Sequence, residues 1–386
     1  MFASVANVRI SAVRAVVPSR EIALEDEIVF YGGSAKKIVR LRETLGMDKR
    51  RVCPADVTAS DLCARAAEEL LRGNPERRHS VDCLIFVSQM PDWIQPATAC
   101  ELQARLGLSR ECAAFDVNQG CAGYVYGLWL SASLIASGAA KTVLLLVGDA
   151  QSFSRDRANR ITAPVFGDGG SATLLIRDET APPLVFDLGT DGRGFENIII
   201  PAGGARIPFV RDQERNEALI RTYHDPAGNP WQMCETYMDG GKVFNFTMDV
   251  VPSHLGNLLR RAAVAIADID LFVFHQANRQ IVTSLAMKAG FPLEKVPVAS
   301  FSRYGNTASA SIPIALCDRF GAAPVSGTML LCGYGIGLSW ASCICRLENV
   351  ACAPVLDFRE DPGRPTREQR VARWARIFTG EEESHD

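Results

Sequence analysis

An internal repeat of strands and turns is the feature that most constrains what this chain can fold into. The segment VDCLIFVSQ at Val81–Gln89 resembles IDLFVFHQ at Ile269–Gln276, because in each an acidic residue precedes a continuous apolar run. Each half then carries a second apolar strand with glycine at its end, KTVLLLVGD at 141–149 and GTMLLCGYG at 327–335. The same order of units returns after roughly 190 residues, which is typical of a duplicated fold.

The alternation of strands and helices predicts an α/β fold. Helical patterns such as ASDLCARAAEELLRG and RQIVTSLAMKAG separate the apolar strands, and continuous apolar strands must be covered on both faces. We therefore expect a layered α/β fold built from two pseudo-symmetric halves. The predicted division is an N-terminal half at 1–180, a C-terminal half at 181–350 and a C-terminal extension at 351–386, with the seam near Glu179–Pro183.

Two segments have no counterpart in the repeat. Residues Pro201–Met238 are polar and rich in turn residues, and we expect this excursion to lie over one face, where loops that shape a substrate site are found. In the extension, DFREDPGRPT predicts a linker, REQRVARWARIF predicts an amphipathic helix and EEESHD predicts a solvated tail. We expect the helix to pack on its own domain rather than to bind a partner.

Composition and charge exclude several classes of function. A net charge of −3 gives no reason to expect nucleic acid or an anionic membrane as a partner. No apolar run is long enough to span a membrane, and the polar residues of MFASVANVRISAVRAVV argue against a secretory signal. Most of the 12 cysteines lie in apolar strand or helix patterns, which predicts reduced thiols in a cytoplasmic protein. No cysteine or histidine spacing indicates a metal site.

Cys121, in NQGCAGY, has the setting of a nucleophile. It follows Gly120 and precedes a predicted helix, and the free N–H groups and dipole at a helix N-terminus stabilise a thiolate. The glycine allows a sharp turn, and the small residues after the cysteine leave room for a substrate. The alternative, one more core cysteine, is weaker because the other cysteines lack this glycine-flanked turn.

His275 and Asn306 also follow predicted turns or strands. His275 ends the strand FVF and begins the polar turn HQAN, while Asn306 follows Gly305 at the position that Cys121 occupies in the first half. A lone histidine beside an apolar run is often a core residue, and Gly-Asn alone indicates only a turn. If a pseudo-dyad relates the halves, however, the two turns face each other across one cleft. A thiol, an imidazole and an amide suit covalent acyl chemistry.

Two glycine-rich stretches complete the set of motifs. FGDGGSATLLI at Phe166–Ile176 and CGYGIGLSW at Cys332–Trp340 combine strand residues with glycines. Neither opens a helix as a nucleotide-binding glycine loop does. We interpret them as places of close backbone approach, where an exposed N–H could belong to an oxyanion hole.

Together, the motifs NQGCAGY, FGDGGSA, FHQANRQI, GNTASASIP and GYGIGLSW closely resemble those of the β-ketoacyl–acyl-carrier-protein synthase III branch of the thiolase superfamily. The resemblance covers about Val5–Leu347. It implies a thiolase-like five-layer αβαβα fold, a homodimer, no metal or other cofactor, and acyl-coenzyme A or acyl carrier protein thioesters as substrates. The residues that it implies are catalytic Cys121, His275 and Asn306, an oxyanion hole from the backbone N–H groups of Cys121 and Ile336, and substrate-binding Arg160, Phe244 and Asn278.

The resemblance also implies a reaction. Cys121 would take an acyl group from a thioester, and a malonyl thioester would then lose carbon dioxide and attack the acyl-enzyme, in fatty-acid-related or specialised metabolism. Where family members often place a tryptophan beside the coenzyme A adenine, this chain has Arg40. Acyl transfer to an alcohol or amine, without decarboxylation, stays open as an alternative. A non-catalytic partner subunit of a condensing complex stays open as another.

Overall fold

The structure is a computed structural model that describes residues 1–73, 75–154, 156–321, 323–359 and 363–380. Its strands form two large mixed sheets and three small two-stranded ones. In chain order the strands are β1 Phe2–Val5, β2 Val8–Pro18, β3 Glu21–Ala23, β4 Lys49–Arg51, β5 Cys83–Val87, β6 Ala113–Val117, β7 Thr142–Asp149, β8 Gly169–Arg177, β9 Leu184–Thr190, β10 Ile198–Ile199, β11 Tyr223–His224, β12 Pro230–Trp231, β13 Tyr237–Met238, β14 Leu271–Phe274, β15 Val325–Gly335, β16 Ser339–Val350 and β17 Leu356–Phe358.

The helices cover and separate these sheets. The α-helices are α1 Ala35–Leu45, α2 Ala59–Leu71, α3 Pro75–His79, α4 Thr98–Arg105, α5 Gly123–Ala136, α6 Gln213–Ile220, α7 Gly240–Ala262, α8 Arg279–Lys288, α9 Ala299–Tyr304, α10 Ser311–Phe320 and α11 Arg367–Thr379. Short 3-10 helices lie at Leu24–Tyr31, Ser152–Ser154, Gly192–Asn197, Ile266–Asp268, Leu293–Lys295 and Ala308–Ala310.

Three apolar clusters divide the fold into layers. The first lies between the two large sheets and includes α5 and α10; α5, GYVYGLWLSASLIA, is apolar on nearly every side, as a helix enclosed on both sides must be. The second packs α2 and α4 on the outer face of the sheet β17-β2-β8-β7-β5-β6. The third packs α7 and α8 on the outer face of the sheet β1-β9-β16-β15-β14. The order of layers is therefore helix, sheet, helix, sheet, helix.

Parallel pairing places the carboxyl ends of neighbouring strands at the same edge of each large sheet. β5 pairs in parallel with β6 and β7, so that Val87 lies opposite Val117 and Val147. In the other sheet β14 pairs in parallel with β15, and Phe274 lies opposite Cys332. Residues that follow the carboxyl ends of such strands meet in one crevice. His275 follows β14 directly, and Cys121 follows β6 after a short loop.

Two terminal strands cross the division that the sequence predicts. β1 pairs with β9, in the sheet made mainly from the second half, and β17 pairs with β2, in the sheet made mainly from the first half. A strand from each end of the chain therefore pairs with the sheet of the opposite half. The division at residue 180 itself stays a prediction.

The C-terminal helix corrects one expectation. Helix α11 forms where the sequence predicts it, but none of its side chains is buried, and Val371, Trp374, Ile377 and Phe378 are exposed. The expectation that it packs on its own domain is therefore wrong: its apolar stripe has no covering element among the described residues. The tail EEESHD lies outside the described residues. No helix in the described ranges has the length and apolar character that crossing a bilayer requires.

A buried ion pair joins the N-terminal 3-10 helix to β4. Arg50 donates to both carboxylate oxygens of Glu27, at 2.6 and 2.7 Å, and both side chains are almost fully buried. Removing one member of such a pair leaves the other charge buried and uncompensated.

We expect Glu27→Ala to lower the free energy of unfolding by about 3 to 5 kcal/mol, measured by chemical denaturation. The matched control is Glu217→Ala, which breaks the exposed pair with Arg221 and should change the stability little, because exposed pairs contribute little. Equal effects of the two substitutions would contradict the structural role of the buried pair.

Candidate active site

One cavity holds the three reactive residues that the sequence singles out. Cys121, His275 and Asn306 all line a partly open cavity of about 270 Å³, and all three are buried. They come from the loop after β6, the end of β14 and the turn after α9. The structure therefore brings together side chains that are 154 and 31 residues apart along the chain, as their numbers show. The rest of the lining is mainly apolar.

Cys121 lies against the end of β15. A Cβ atom added at Gly335 would be 3.0 Å from the Cys121 Sγ atom, and one added at Gly333 would be 2.6 Å from the Cys121 carbonyl oxygen. Real Cβ atoms essentially never show the distance found at Gly333, and the 3.0 Å contact at Gly335 is tighter than nine in ten real Cβ contacts. Gly333 therefore has no room for a side chain, and a side chain at Gly335 would displace its neighbours, because the backbone of one half passes directly over the nucleophile candidate of the other.

Ile336 lies next to the turn that carries Cys121. The Ile336 side chain packs so closely on Gly120 that a Cβ at Gly120 would collide with it. The flanking Gly335 and Gly337 have φ values of 149° and 133°, a region that other residues rarely adopt. The Ile336 backbone is therefore held in an irregular turn beside Cys121, where the resemblance implies an oxyanion donor.

His275 is held rigidly at the cavity wall. Its backbone N–H continues the ladder of β14 by donating to the Cys332 carbonyl, at 2.7 Å, and its Nδ1 atom lies 2.7 Å from Ser311 Oγ. Tyr334 meets the ring edge-on, with 5.6 Å between the ring centroids. Burial lowers the pKa of His275 to about 4, so the imidazole is neutral at pH 7.

Asn306 presents the amino end of its side chain to the cavity. Its Oδ1 atom accepts a hydrogen bond from the Ala308 N–H, at 3.0 Å, and no other described residue pairs with the Nδ2 group. The Asn306 backbone is tied on both sides to the strand-like segment Val165–Gly167, donating to the Val165 carbonyl at 2.9 Å and accepting from the Gly167 N–H at 3.0 Å. The amide is thus oriented as a hydrogen-bond donor.

A buried carboxylate fixes the geometry between the two halves. Asp149, at the end of β7, accepts from the Gln89 N–H at 2.9 Å and from the Ser309 N–H at 3.1 Å, and it is fully buried. Burial raises the pKa of Asp149 to about 6, although the hydrogen bonds from Ser309 and Gln89 oppose the rise. Ser309 belongs to the turn that carries Asn306, so Asp149 holds that turn against the first half.

Asp149 and Ser311 are residues that the sequence interpretation missed. For Asp149 a signal existed, since an acidic residue at the end of the apolar run KTVLLLVGD would be buried and in need of donors. Ser311 lies inside the motif GNTASAS, and nothing local distinguishes it from the other small residues there. Its contact with His275 spans 36 residues.

The predicted substrate-binding residues fall into two places. Phe244, in the first turns of α7, and Asn278, the N-cap of α8, line the cavity. The Asn278 Oδ1 atom accepts a hydrogen bond from the Ile281 N–H at 2.7 Å and so caps helix α8. Arg160 does not line the cavity. It lies in a more open recess, and Leu45 and Ile161 line both spaces.

The Pro201–Met238 excursion forms part of this entrance. Arg160 donates to Asn229 Oδ1 at 3.1 Å and to the Ala227 carbonyl, so the excursion holds the guanidinium in place. At its other end Met238 lines the cavity. The recess also carries Lys37 and Arg40, and its described lining includes no carboxylate. Among the described residues no cluster of three histidine, cysteine or acidic side chains could hold a metal ion.

Comparison with known proteins gives consistent matches along the chain. Residues 115–192 match the family model "3-Oxoacyl-[acyl-carrier-protein (ACP)] synthase III", and residues 259–347 match the model of its C-terminal part. A β-ketoacyl-[acyl-carrier-protein] synthase III from Rhodopirellula baltica is 34% identical over 361 residues, covering 88% of this chain and 98% of that protein. A second such synthase, from Halalkalibacterium halodurans, is 32% identical over 346 residues, covering 89% of this chain and 97% of that protein.

The fold has solved counterparts as well. The crystal structure of a 3-oxoacyl-(acyl-carrier protein) synthase from Burkholderia xenovorans LB400 matches with a TM-score of 0.83 and 37% sequence identity, covering 93% of this chain and 99% of that one. The prediction of a thiolase-like layered α/β fold is confirmed by this match together with the order of layers.

The close approach of Gly335 to Cys121 predicts that a side chain at position 335 slows alkylation of the Cys121 thiol. In Gly335→Ala a methyl group would lie 3.0 Å from Sγ, and overpacking of this kind typically costs 1–3 kcal/mol. We expect alkylation of Cys121 by iodoacetamide, followed by peptide mass spectrometry, to slow at least about tenfold. Gly256→Ala is the matched control, because the space around Gly256 is open. Equal alkylation rates in the two variants would refute the contact.

Proposed function

Because the chain belongs to the 3-oxoacyl-[acyl-carrier-protein] synthase III family, as its motifs predict, we propose that it is a condensing acyltransferase. It joins an acyl thioester to a malonyl thioester with loss of carbon dioxide, in fatty-acid synthesis or a related pathway. The observation that carries the proposal is the shared cavity of Cys121, His275 and Asn306. This trio supplies a nucleophile and two hydrogen-bond donors in one mainly apolar cavity.

In the first half-reaction Cys121 is the proposed nucleophile. Its thiolate attacks the thioester carbonyl carbon, the carbonyl oxygen takes the negative charge, and the carrier thiol leaves with a proton. The proposed oxyanion hole consists of the N–H groups of Cys121 and Ile336, and the packing of Ile336 on Gly120 supports it. One such donor is typically worth about 3 to 4 kcal/mol of transition-state stabilisation.

In the second half-reaction His275 and Asn306 are the proposed donors to the malonyl thioester carbonyl. When the carboxylate leaves as carbon dioxide, its bonding electrons form an enolate, whose oxygen these two groups stabilise. The enolate carbon then attacks the acyl group on Cys121, and the thiolate is released. A neutral imidazole and an amide with its Oδ1 atom already bonded to Ala308 support this role, since both can donate without bringing a net charge.

The entrance suits an anionic carrier. Lys37, Arg40 and Arg160 line the recess that adjoins the cavity, and coenzyme A and the phosphopantetheine of a carrier protein both bring phosphate groups. We therefore propose acyl-coenzyme A or acyl carrier protein thioesters as substrates. Arg40 replaces an aromatic platform with a cation, which favours contact with phosphate over stacking.

The assembly that we propose is a homodimer in the cytoplasm. β6 is an edge strand of the six-stranded sheet, and its residues are only partly buried or exposed, so its backbone could pair with a second copy. The fully exposed Ile94 lies in the loop between β5 and α4 and offers a large apolar side chain for such an interface. No disulfide joins the cysteines that the structure describes, which favours a reducing compartment.

The test separates the two half-reactions. The protein is incubated with acetyl-coenzyme A and carboxyl-labelled malonyl thioester, while intact mass reports the acyl group on Cys121 and trapped label reports carbon dioxide. We expect His275→Ala and Asn306→Ala to keep the acyl group and to lose carbon dioxide release by roughly a hundredfold or more. Cys121→Ser should lose the acyl group, and His79→Ala, an exposed histidine elsewhere, should behave as wild type.

Two outcomes would contradict the proposal. Transfer of the acyl group to an alcohol or amine without release of label would support the non-decarboxylating reaction. An unmodified Cys121 across a panel of donors would support a non-catalytic subunit.

A further inference from the structure

A second, partly open cavity lies behind one wall of the proposed active site, and two of the arginines that line it, Arg20 and Arg157, are exposed. Its volume is about 290 Å³, close to that of the first cavity. Phe166 lines both cavities. Ile22, Val52 and Ala163 give the second one an apolar wall. We refer to this space as the rear chamber.

The side chain of Phe166 is the partition between the two spaces. The Phe166 backbone is fixed, because the residues on either side of it hydrogen-bond to the Asn306 backbone. The partition can therefore open only by rotation or removal of the aromatic ring. The rear chamber lies on the far side of this ring from Cys121, since Cys121 lines only the first cavity and Phe166 lines both.

The rear chamber is cationic. Arg20, Arg50 and Arg157 line it, and no acidic residue does among those that the structure describes. Glu27 pairs with Arg50 and with Arg157 Nε, at 3.2 Å for the latter, so one carboxylate serves two guanidinium groups. Arg20 has no ion-pair partner among the described residues. A ligand that reaches this chamber meets uncompensated positive charge beside an apolar wall.

We propose that the rear chamber receives the far end of acyl groups that terminate in a carboxylate, with Phe166 as the partition that sets how far an acyl group extends. The substrate class is thus an ω-carboxyacyl thioester, an acyl chain with a thioester at one end and an anionic carboxylate at the other. The inference rests on the proposed function, because the thioester end reacts with Cys121 as described above. The carboxylate end does not react; it pairs with Arg20 and Arg157.

The experiment compares donors of equal length. Suberyl-coenzyme A and octanoyl-coenzyme A both have eight-carbon acyl groups, as their names state, and differ mainly in the terminal carboxylate. The full-length protein is given both at equal concentration, and intact-mass spectrometry measures the fraction of Cys121 that carries each group. Because a partly exposed ion pair contributes up to about 1 kcal/mol, we expect suberyl to exceed octanoyl by about fivefold.

Variants assign the effect to the rear chamber. Arg20→Gln should bring the suberyl-to-octanoyl ratio close to one, while Arg319→Gln, which alters an exposed arginine at the end of α10, should leave the ratio unchanged. Phe166→Ala should raise labelling by both long donors relative to acetyl-coenzyme A by at least about tenfold, since several methylene groups gain space. Phe166→Leu should raise this relative labelling by a smaller factor. It provides a second test of the partition should the alanine variant fold poorly.

Different negative results would overturn different parts of the inference. A wild-type ratio of one or less, or the same ratio in wild type and Arg20→Gln, overturns the charge recognition. Unchanged long-chain labelling in folded Phe166→Ala and Phe166→Leu overturns the partition. Labelling by acetyl alone in all variants overturns the inference and leaves the proposed function standing, whereas no labelling by any donor overturns both.

Discussion

A backbone bridge between Phe166 and Asn306 is the contact on which the rest of the site depends. Asn306 donates to the Val165 carbonyl and accepts from the Gly167 N–H, so a turn of the second half joins the end of the first. Buried backbone groups must be paired, and these pairings fix where the Asn306 amide points. The approach is so close that a Cβ at Gly167 would collide with the Tyr304 carbonyl. Asp149 supports the same junction from the other side through Ser309.

Much of the site could be predicted from the sequence because it sits at repeated positions of a duplicated fold. Cys121 and Asn306 follow glycines at equivalent turns, and His275 follows a parallel strand, so topology alone brings them to one crevice. Phe244 was also placed on the cavity wall by its motif. Ser311 could not be found in this way, because its role comes from a hydrogen bond to a residue distant in the chain; for Asp149 the apolar run before it indicates a buried acid, but not its partners Gln89 and Ser309.

For Arg160 and helix α11, the local sequence pattern does not determine which other parts of the fold lie beside them. The resemblance implies that Arg160 binds substrate, which stays a proposal, but its place in the recess beside the cavity depends on the excursion, where it donates to Asn229 and to the Ala227 carbonyl. Helix α11 was predicted as an amphipathic helix, and it forms, but the pattern of Val371, Trp374 and Phe378 says only that one face is apolar. Whether another element covers that face depends on the rest of the fold, and sequence periodicity carries no information on it.

The central claim is that both halves of the fold meet around the acyl group on Cys121. Its most direct test is a crystal structure of the acylated protein. The claim predicts that the acyl carbonyl oxygen lies about 2.7 to 3.1 Å from the backbone nitrogens of both Cys121 and Ile336, with His275 and Asn306 on the opposite side of the carbonyl carbon. An acyl carbonyl turned away from the Ile336 amide, or an acyl group carried by another cysteine, would contradict it.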